Sequence, residues 1–548
     1  MTNLLELVKT ESEGVRKEII ITSMVSGLAN AAVLAVINEA SQTAAYNYLN
    51  FRYLMMFIVA MTLYVVGERL SSKRMIRITA EVVQNIRVRL ADKIQNSELA
   101  ILERIGKSEI MNAMSQEATV IAESGETLTR GLQAGIFVVF ALAYVAYISL
   151  AAFLITLVCI SIAVTIVTRN KKLSQELIRS TREKEIELLR YVTDSIDGFK
   201  ETRTSDQKRA DLRADIQTAS NESTDFRVES EDLRNRSTLF GQSSFYVLIG
   251  SVVFLLPNLI ETYTEVITEI TTAVLFMVGP LTLVVGLIPF VAKCNESAKA
   301  IFDLEEALDN GNTEHHTDNE PTVHIDPKGF KLLELDAARF AYRNQEDEVF
   351  VMGPLSLAIE APEIIFITGG NGSGKSTLLK VLAGLYRPDE GHVSVDGTTV
   401  TTRNIQSYRE IFSTIFSDFH VFEKLYGALG TTESEVSDLL EKMQLDSKVK
   451  FVNDTFTTLD LSTGQRKRLA LVVSLLDDKP VFIFDELAAD QDPEFRKFLY
   501  EEVLPGLKSL GHTVIAASHD DRYFHVADKL IKMEYGKIEE IRTTEPDQ

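Results

Sequence analysis

Apolar and polar positions divide the 548 residues of this chain into two unlike halves. Up to about residue 300, long uncharged runs alternate with strongly charged segments, and from residue 330 the pattern is that of a soluble domain. A helix that crosses a membrane needs about 20 mostly apolar residues. By this measure the first half contains six predicted spans, at 19–37, 53–67, 131–148, 150–168, 239–260 and 270–292.

Two long charged segments, 68–130 and 169–236, lie between these spans and contain no proline. Their many helix-forming residues predict long helices that continue the spans out of the membrane. Near the membrane they carry a set of basic residues: Arg69, Lys73, Arg74, Arg77, Arg169, Lys171 and Lys172. Basic residues concentrate on the cytoplasmic side of membrane proteins, so these segments are predicted to face the cytoplasm. An even number of spans then places both termini there as well.

The predicted organisation is a membrane domain over 1–307, a linker over 308–329 and a soluble domain over 330–548. The linker contains Gly, Pro and a His315-His316 pair, for which solvation is the commoner role and metal binding the alternative. Acidic residues outnumber basic ones by 78 to 56, giving a net charge of −22, which argues against nucleic acid as a partner. Cys159 and Cys294 lie in or beside apolar runs and are interpreted as structural thiols.

A phosphate-binding loop opens the second half. Residues 369–376 fit the pattern G-x-x-x-x-G-K-[ST] in full, between an apolar run that predicts a strand and a run that predicts a helix. Glycines let the backbone wrap a phosphate, and successive N–H groups supply partial positive charge. Lys375 is predicted to pair the β- and γ-phosphates of ATP, and the Ser376 hydroxyl to bind Mg²⁺. The predicted nucleotide-binding residues of the loop are Gly369, Gly370, Asn371, Gly372, Ser373, Gly374, Lys375, Ser376 and Thr377.

Two further predicted strands end in polar residues. The apolar run 481–484 leads into Asp485 and Glu486, and the run 513–517 leads to Ser518 and His519. Side chains at the carboxyl ends of strands face the ligand in an open α/β sheet. We therefore expect Asp485 to hold Mg²⁺, Glu486 to polarise the attacking water and His519 to contact the γ-phosphate. Taken alone, an acidic pair after a strand would indicate a turn.

Leu461-Ser462-Thr463-Gly464-Gln465 precedes a basic stretch and predicts another helix N-terminus able to bind an anion. With this motif, the order of motifs resembles that of the ATP-binding cassette transporters, over essentially the whole chain. The resemblance implies an all-α six-helix exporter domain joined to an α/β P-loop nucleotide-binding domain. It also implies a homodimer, because in that family Ser462, Gly464 and Gln465 of one cassette would complete the ATP site of the other.

The same resemblance implies a role for two more positions. Tyr342 matches the aromatic residue that stacks on adenine, with a tyrosine at a strand edge as the alternative. Ser417 stands where the family usually has a Gln that senses Mg²⁺. Because Ser is shorter, we expect at most a water-mediated contact between Ser417 and the metal.

Residues 485–493, 518–524 and 197–201, together with Ser417, are similar to the bacterial branch that exports cyclic peptides and siderophores. The function implied is ATP-driven export of a peptide or siderophore-like molecule across the cytoplasmic membrane by alternating access. A lipid flippase or multidrug exporter on the same scaffold is the alternative. A non-transporting ATPase is disfavoured by the six spans. The turns 97–106 and 198–206 are expected to touch the cassettes.

Overall fold

The computed structural model describes residues 16–44, 51–169, 171–259, 264–309, 325–326, 330–344, 347–427 and 430–543. The chain divides into two compact units, Met1–Ala91 with Ser108–Glu305 and Asp92–Lys107 with Glu306–Gln548. The segment Asp92–Lys107, predicted as part of the membrane domain, thus belongs to the same unit as the cassette. Of the predicted linker 308–329, only 308–309 and 325–326 lie within the described residues.

The first 309 residues are helical wherever the structure describes them, apart from short turns. The α-helices are Arg16–Ala44, Phe51–Asn96, Leu99–Ile105, Lys107–Asn112, Ala118–Ile148, Leu150–Arg169, Lys171–Asp197, Phe199–Arg203, Asp206–Gly250, Leu256–Leu259 and Thr264–Asp309. Two π-helical turns, Ala113–Glu117 and Ser251–Leu255, join neighbouring helices. An all-helical arrangement suits a membrane, since each helix satisfies its own backbone hydrogen bonds.

Four helical segments among the described residues are long and apolar enough to cross a membrane: Ile21–Ser41, Phe51–Asn96, Glu109–Ile148 and Val266–Asp309. The shorter apolar helical stretches Leu150–Thr165 and Ser243–Leu255 coincide with the fourth and fifth predicted spans. Residue 260, the last of the fifth span, lies outside the described residues. The count of six spans therefore stays a prediction.

Helix packing in the first unit follows the apolar pattern. Phe137 and Val145 from helix Ala118–Ile148, Val252 from the turn Ser251–Leu255 and Ile270 from helix Thr264–Asp309 are fully or almost fully buried in one cluster. The π-helical turn at Ser251–Leu255 ends two residues before Pro257, and the Leu256 N–H donates to the carbonyl of Ser251. Proline cannot supply a backbone N–H, which favours an altered hydrogen-bond register at this point.

The second unit is an α/β structure. Its strands are β1 Leu332–Asn344, β2 Asp347–Glu360, β3 Ile364–Thr368, β4 Glu390–Val395, β5 Thr398–Thr399, β6 Phe412–Ile415, β7 Phe451–Val452, β8 Thr455–Phe456, β9 Val481–Asp485, β10 Thr513–Ala517, β11 Lys529–Glu534 and β12 Lys537–Thr543. Its α-helices after residue 330 are Lys375–Leu382, Ile405–Arg409, Glu433–Lys442, Thr463–Leu476, Pro493–Phe498 and Leu504–Ser509, with a π-helical turn at Leu499–Val503 and a 3₁₀ turn at Asp521–Val526.

The main sheet has the order β12-β11-β3-β10-β9-β6, and all of its neighbours pair in parallel except β11 and β12. A second sheet, β2-β1-β4-β5, is antiparallel. Strands β3, β9 and β10 are buried on both faces, since Ile365, Ile483 and Ile515 enter one core cluster and Phe366 and Phe484 enter the other. Burial on both faces explains why these strands are continuous apolar runs in the sequence.

Candidate functional site

The parallel strands bring the predicted site residues to one edge of the sheet. Ile367, Ala517 and Asp485 are register partners across β3, β10 and β9, and β6 continues the row, with Ile415 opposite Phe484. The residues that follow these positions include the phosphate loop, His519, Glu486 and Ser417. Four segments far apart in sequence therefore end on the same side, where open α/β sheets bind ligands.

The phosphate loop has the backbone that its glycines predict. Gly369, Gly372 and Gly374 have φ values of 145°, 77° and 101°, in the region that side chains disfavour. A Cβ on Gly369 would lie 2.3 Å from the carbonyl oxygen of Met533, so no other residue fits there without a shift of the backbone. Helix Lys375–Leu382, here called the phosphate helix, begins directly after Gly374.

Two side chains of this loop are placed so that they could bind an anion. Lys375 is 6% exposed, and its Nζ donates to the carbonyls of Gly369 and Gly370 at 3.1 and 3.2 Å. The buried Ser373 hydroxyl has no hydrogen-bond partner among the described residues. A buried polar atom without a partner is costly. Phosphate oxygens would satisfy both groups, so the loop fits the ligand that its sequence predicts.

Asp485, the last residue of β9, is a second buried polar residue that is suited to bind a ligand. It is 2% exposed, and neither carboxylate oxygen has a hydrogen-bond partner in the part of the chain that the structure describes. Within those residues there is also no group of three or more His, Cys, Asp or Glu side chains that could bind a metal by themselves. Mg²⁺ commonly takes one or two carboxylates and completes its shell with phosphate oxygens and water. The Asp485 carboxylate and the half-buried Ser376 hydroxyl suit that mode of binding.

Glu486 and His519 lie side by side. The His519 Nε2 is 3.3 Å from the Glu486 Oε1, and both side chains are partly exposed. Glu486 has a φ of 53°, and its N–H donates to the carbonyl of Ala517 at 3.2 Å. Such a left-handed backbone at a non-glycine residue is found where the surrounding structure enforces it, often at functional sites. The pair could orient a water molecule in front of the phosphate loop.

The signature motif forms the start of helix Thr463–Leu476, here called the signature helix. The Ser462 Oγ accepts from the N–H of Gln465 at 3.3 Å, and the Gln465 Oε1 accepts from the N–H of Ser462 at 3.1 Å. This reciprocal cap stabilises the helix N-terminus. A Cβ on Gly464 would lie 2.6 Å from the carbonyl oxygen of Asp490, which accounts for the glycine. Ser462 itself is exposed.

A buried lysine fastens the signature helix to the end of β9, and sequence reasoning did not single it out. The Nζ of Lys467 donates to the carbonyls of Glu486 at 2.9 Å and Ala489 at 3.1 Å, and lies 3.2 Å from the Asp490 carboxylate. Lys467 is only 6% exposed. Its place in a basic stretch of the sequence, directly after the signature, was the only signal that could have found it.

Tyr342 and Ser417 occupy different surroundings. Tyr342 is half-buried on β1, opposite Phe350 on β2, and its hydroxyl donates to that of Tyr386 at 2.7 Å. The ring of Phe350 reaches Gly374, since its Cζ would be 3.1 Å from a Cβ there. Ser417 is exposed two residues beyond β6, at the same sheet edge as Asp485. The roles assigned to both residues stay predictions.

Comparisons with known proteins agree with this architecture. Residues 352–489 match the profile described as ABC transporter, and residues 18–203 match the ABC transporter transmembrane region. The ATP-binding protein SyrD of Pseudomonas syringae pv. syringae is 30% identical over 531 residues, which cover 95% of this chain and 93% of SyrD. An ATP-dependent lipid A-core flippase of Alkalilimnicola ehrlichii is 24% identical, over 74% of this chain and 69% of the flippase.

A solved structure shares the fold. The structure of a bacterial Atm1-family ABC exporter with ATP bound superposes with a TM-score of 0.77 at 16% identity, covering 97% of this chain and 96% of the exporter chain. The predicted fold class, a helical membrane domain with an α/β nucleotide-binding domain, is thereby confirmed.

Proposed function

The chain belongs to the ABC transporters, as an exporter half-transporter with an ATPase coupled to transport, and on this premise we propose that it exports a peptide or siderophore-like molecule as a homodimer. The observation that carries the ATP-driven part of the proposal is the convergence of the phosphate loop, Asp485, Glu486 and His519 at one sheet edge, with buried polar atoms that have no partner among the described residues. The dimer and the cargo rest on the separate observations given below.

In the proposed reaction the residues of this edge divide the work of hydrolysis. The Lys375 ammonium and the loop N–H groups bind the phosphates of ATP and stabilise the charge that develops on them. Ser376 and Asp485 would hold Mg²⁺, with Ser417 reaching it at most through water, and the ion would supply positive charge that stabilises the phosphates. The Glu486 carboxylate orients the attacking water, and the neighbouring His519 imidazole contacts the γ-phosphate. Tyr342 stacks on the adenine ring.

Homodimer formation is supported by the exposure of the signature motif. The Ser462 side chain and the helix N-terminus beneath it face outwards from the chain. An exposed, capped helix N-terminus suits a phosphate brought by a second copy. ATP held between two cassettes would draw them together, and hydrolysis would release them. This cycle of association and release would open the membrane domain alternately to either side.

The proposed location is the cytoplasmic membrane, with six spans and with the cassette and both termini in the cytoplasm. The basic residues beside the spans at 69–77 and 169–172 support this orientation. Insertion of a reporter into the turn 198–206 should therefore give cytoplasmic signal only. A periplasmic signal would contradict the topology.

The catalytic assignment is tested by Glu486→Gln, which keeps the size of the side chain and removes its charge. The full-length variant should bind MgATP, form a stable dimer with it and lose ATPase activity by about a hundredfold or more. Glu502→Gln, at an exposed position in the same domain, is the matched control and should behave as the wild type. Normal turnover by Glu486→Gln would remove Glu486 from the reaction, and a monomeric ATP complex would remove the dimer.

The cargo is proposed from the likeness of 485–493, 518–524 and 197–201 to the peptide and siderophore branch. The relative named as a lipid A-core flippase makes lipid the competing cargo. In proteoliposomes, a cyclic lipopeptide or a peptide siderophore should stimulate the ATPase, whereas added lipid A and hydrophobic drugs should not. The reverse pattern would favour the flippase or multidrug function and leave the ATPase assignment intact.

A further inference from the structure

A short helix that precedes the nucleotide-binding domain by more than 200 residues contacts that domain through apolar residues and through one carboxylate. This loop helix, Leu99–Ile105, belongs to the same compact unit as the cassette. The Oε1 of Glu103 accepts from Lys380 Nζ at 3.1 Å, and its Oε2 accepts from the Tyr386 hydroxyl at 2.6 Å. Lys380 lies on the phosphate helix, and Tyr386 follows that helix in the chain.

The hydroxyl of Tyr386 is the centre of this contact. It also accepts from Tyr342 at 2.7 Å and from Lys380 at 3.2 Å. A phenol has one proton to donate, and the Glu103 carboxylate is its acceptor. The hydrogen bonds therefore run in one direction, from Tyr342 through Tyr386 to Glu103.

The ring of Tyr386 is held firmly. It is 1% exposed, stacks on Phe340 with centroids 4.6 Å apart and planes at 3°, and meets the edge of Tyr342 at 90°. Burial first, and then the hydrogen bond to Glu103, raise the pKa of the Tyr386 hydroxyl, so it remains protonated and able to donate at physiological pH. Energetic coupling between two sites can be carried by packed side chains and hydrogen-bond networks of this kind.

We propose that Tyr386 is a positioning residue that couples the ring of Tyr342 to Glu103, so that ATP binding and the placement of the loop helix favour each other. The inference rests on the proposed function, because it needs Tyr342 to stack on adenine. Through Lys380 the same carboxylate also holds the phosphate helix. Both ends of the bound nucleotide would thus act on a single side chain of the loop helix.

Binding measurements on the full-length Glu486→Gln protein test the coupling. Three substitutions each weaken the network and keep the shape of the side chain: Tyr342→Phe and Tyr386→Phe remove a hydroxyl, and Glu103→Gln removes the charge and one of the two acceptor oxygens. Each should raise the Kd for MgATP by about threefold or more, and the Tyr342→Phe/Glu103→Gln pair should be no weaker than the worse single variant, because both break one network.

Coupling is reciprocal, so a second readout follows the loop helix. Adding MgATP to the Glu486→Gln parent should slow backbone hydrogen exchange over Leu99–Ile105, and Tyr386→Phe should abolish that protection. Tyr408→Phe is the matched control, because it removes another buried hydroxyl of the same domain, bonded to the Leu382 carbonyl. It should leave both the Kd and the protection as in the parent.

The possible outcomes distinguish a failure of the proposed coupling from a failure of the proposed function on which it rests. Additive Kd effects, or full protection of the loop helix in Tyr386→Phe, would overturn the coupling while ATP binding stands. Unchanged ATP affinity in Tyr342→Ala would overturn both the stacking role and the coupling. Failure of the parent to bind MgATP at all would overturn the proposed function itself.

Discussion

Replacing Asp485 by Asn should stabilise the nucleotide-free cassette and at the same time weaken its response to MgATP. The substitution keeps the size of a side chain that is 2% exposed and removes a charge whose oxygens have no partner among the described residues. An unsatisfied buried group costs about 1–3 kcal/mol, and more when it is charged. The Asn amide would remain unpaired, so only part of that cost is recovered.

A gain of about 2 kcal/mol in the free energy of unfolding would raise the melting temperature by about 4 to 8 °C for a domain of about 200 residues. Ligand at 100 times its Kd stabilises the wild type by about 2.7 kcal/mol. If loss of the metal ligand raises the Kd for MgATP about a hundredfold, MgATP at the same concentration stabilises the variant by only about 0.4 kcal/mol. The stability advantage of the variant should therefore largely disappear, or reverse, in MgATP.

Calorimetry of the full-length protein, with and without MgATP, measures both shifts. Asp446→Asn removes one negative charge at an exposed position of the same domain and controls for the net charge of −22. If Asp485→Asn raises the melting temperature without nucleotide no more than Asp446→Asn does, the buried Asp485 carboxylate does not destabilise the cassette. If it keeps the full MgATP shift, Asp485 does not hold the metal.

Three further substitutions test other contacts. Gly464→Ala would place a methyl group 2.6 Å from the carbonyl oxygen of Asp490, so the signature helix must move, and we expect the ATPase rate to fall about tenfold or more. Burial raises the pKa of the Glu98 carboxyl in the folded protein, despite the lowering effect of two nearby arginines. The protonated Glu98 therefore contributes its full stability below about pH 4.3, and this stability is lost as pH rises through the raised pKa. Glu98→Gln should accordingly gain melting temperature over the wild type at pH 7 but not at pH 4. Gly125→Ala would bring a methyl group to 2.0 Å from the Thr79 Oγ1 and should cost about 1–3 kcal/mol of stability.

Matched controls exist for each of these. Gly506→Ala and Gly250→Ala add the same methyl group where no atom lies within 4 Å, and the exposed Glu501→Gln controls for Glu98. A wild-type ATPase rate in Gly464→Ala would show that the signature helix tolerates the displacement. A Glu98→Gln gain that is equal at both pH values would show that the carboxyl does not titrate differently on folding. Equal melting of Gly125→Ala and Gly250→Ala would contradict tight packing at Thr79.

Most residues of the candidate site could be predicted from local patterns in the sequence. The strand, glycine loop and helix around Lys375 are contiguous in sequence, and the buried strands before Asp485 and Ser518 stand out because both of their faces are apolar. A parallel sheet then brings their carboxyl ends together whatever the loops between them contain. For the same reason the amino-acid sequence was enough to predict which residues meet at this edge.

Contacts between distant residues could not be predicted in this way. The sequence predicted that the turn 97–106 touches the cassette, but not through which side chains, because Glu103 precedes Lys380 by 277 residues and Tyr386 by 283. Lys467 has the composition of a surface residue but is buried because three acceptors around the end of β9 surround its ammonium. Such roles depend on tertiary packing, which periodicity does not encode.

The assignment of residues 92–107 to the second unit has a consequence for biosynthesis. During translation the loop helix emerges long before its partners, because almost three hundred residues separate Glu103 from Lys380 and Tyr386. At about 5–20 residues per second this delay is roughly 15 to 60 s. Leu99 and Ala100, which later pack against the cassette core, stay uncovered during that interval. A nascent chain that stops before the cassette is complete therefore displays these two apolar residues uncovered, where chaperones and proteases can recognise them.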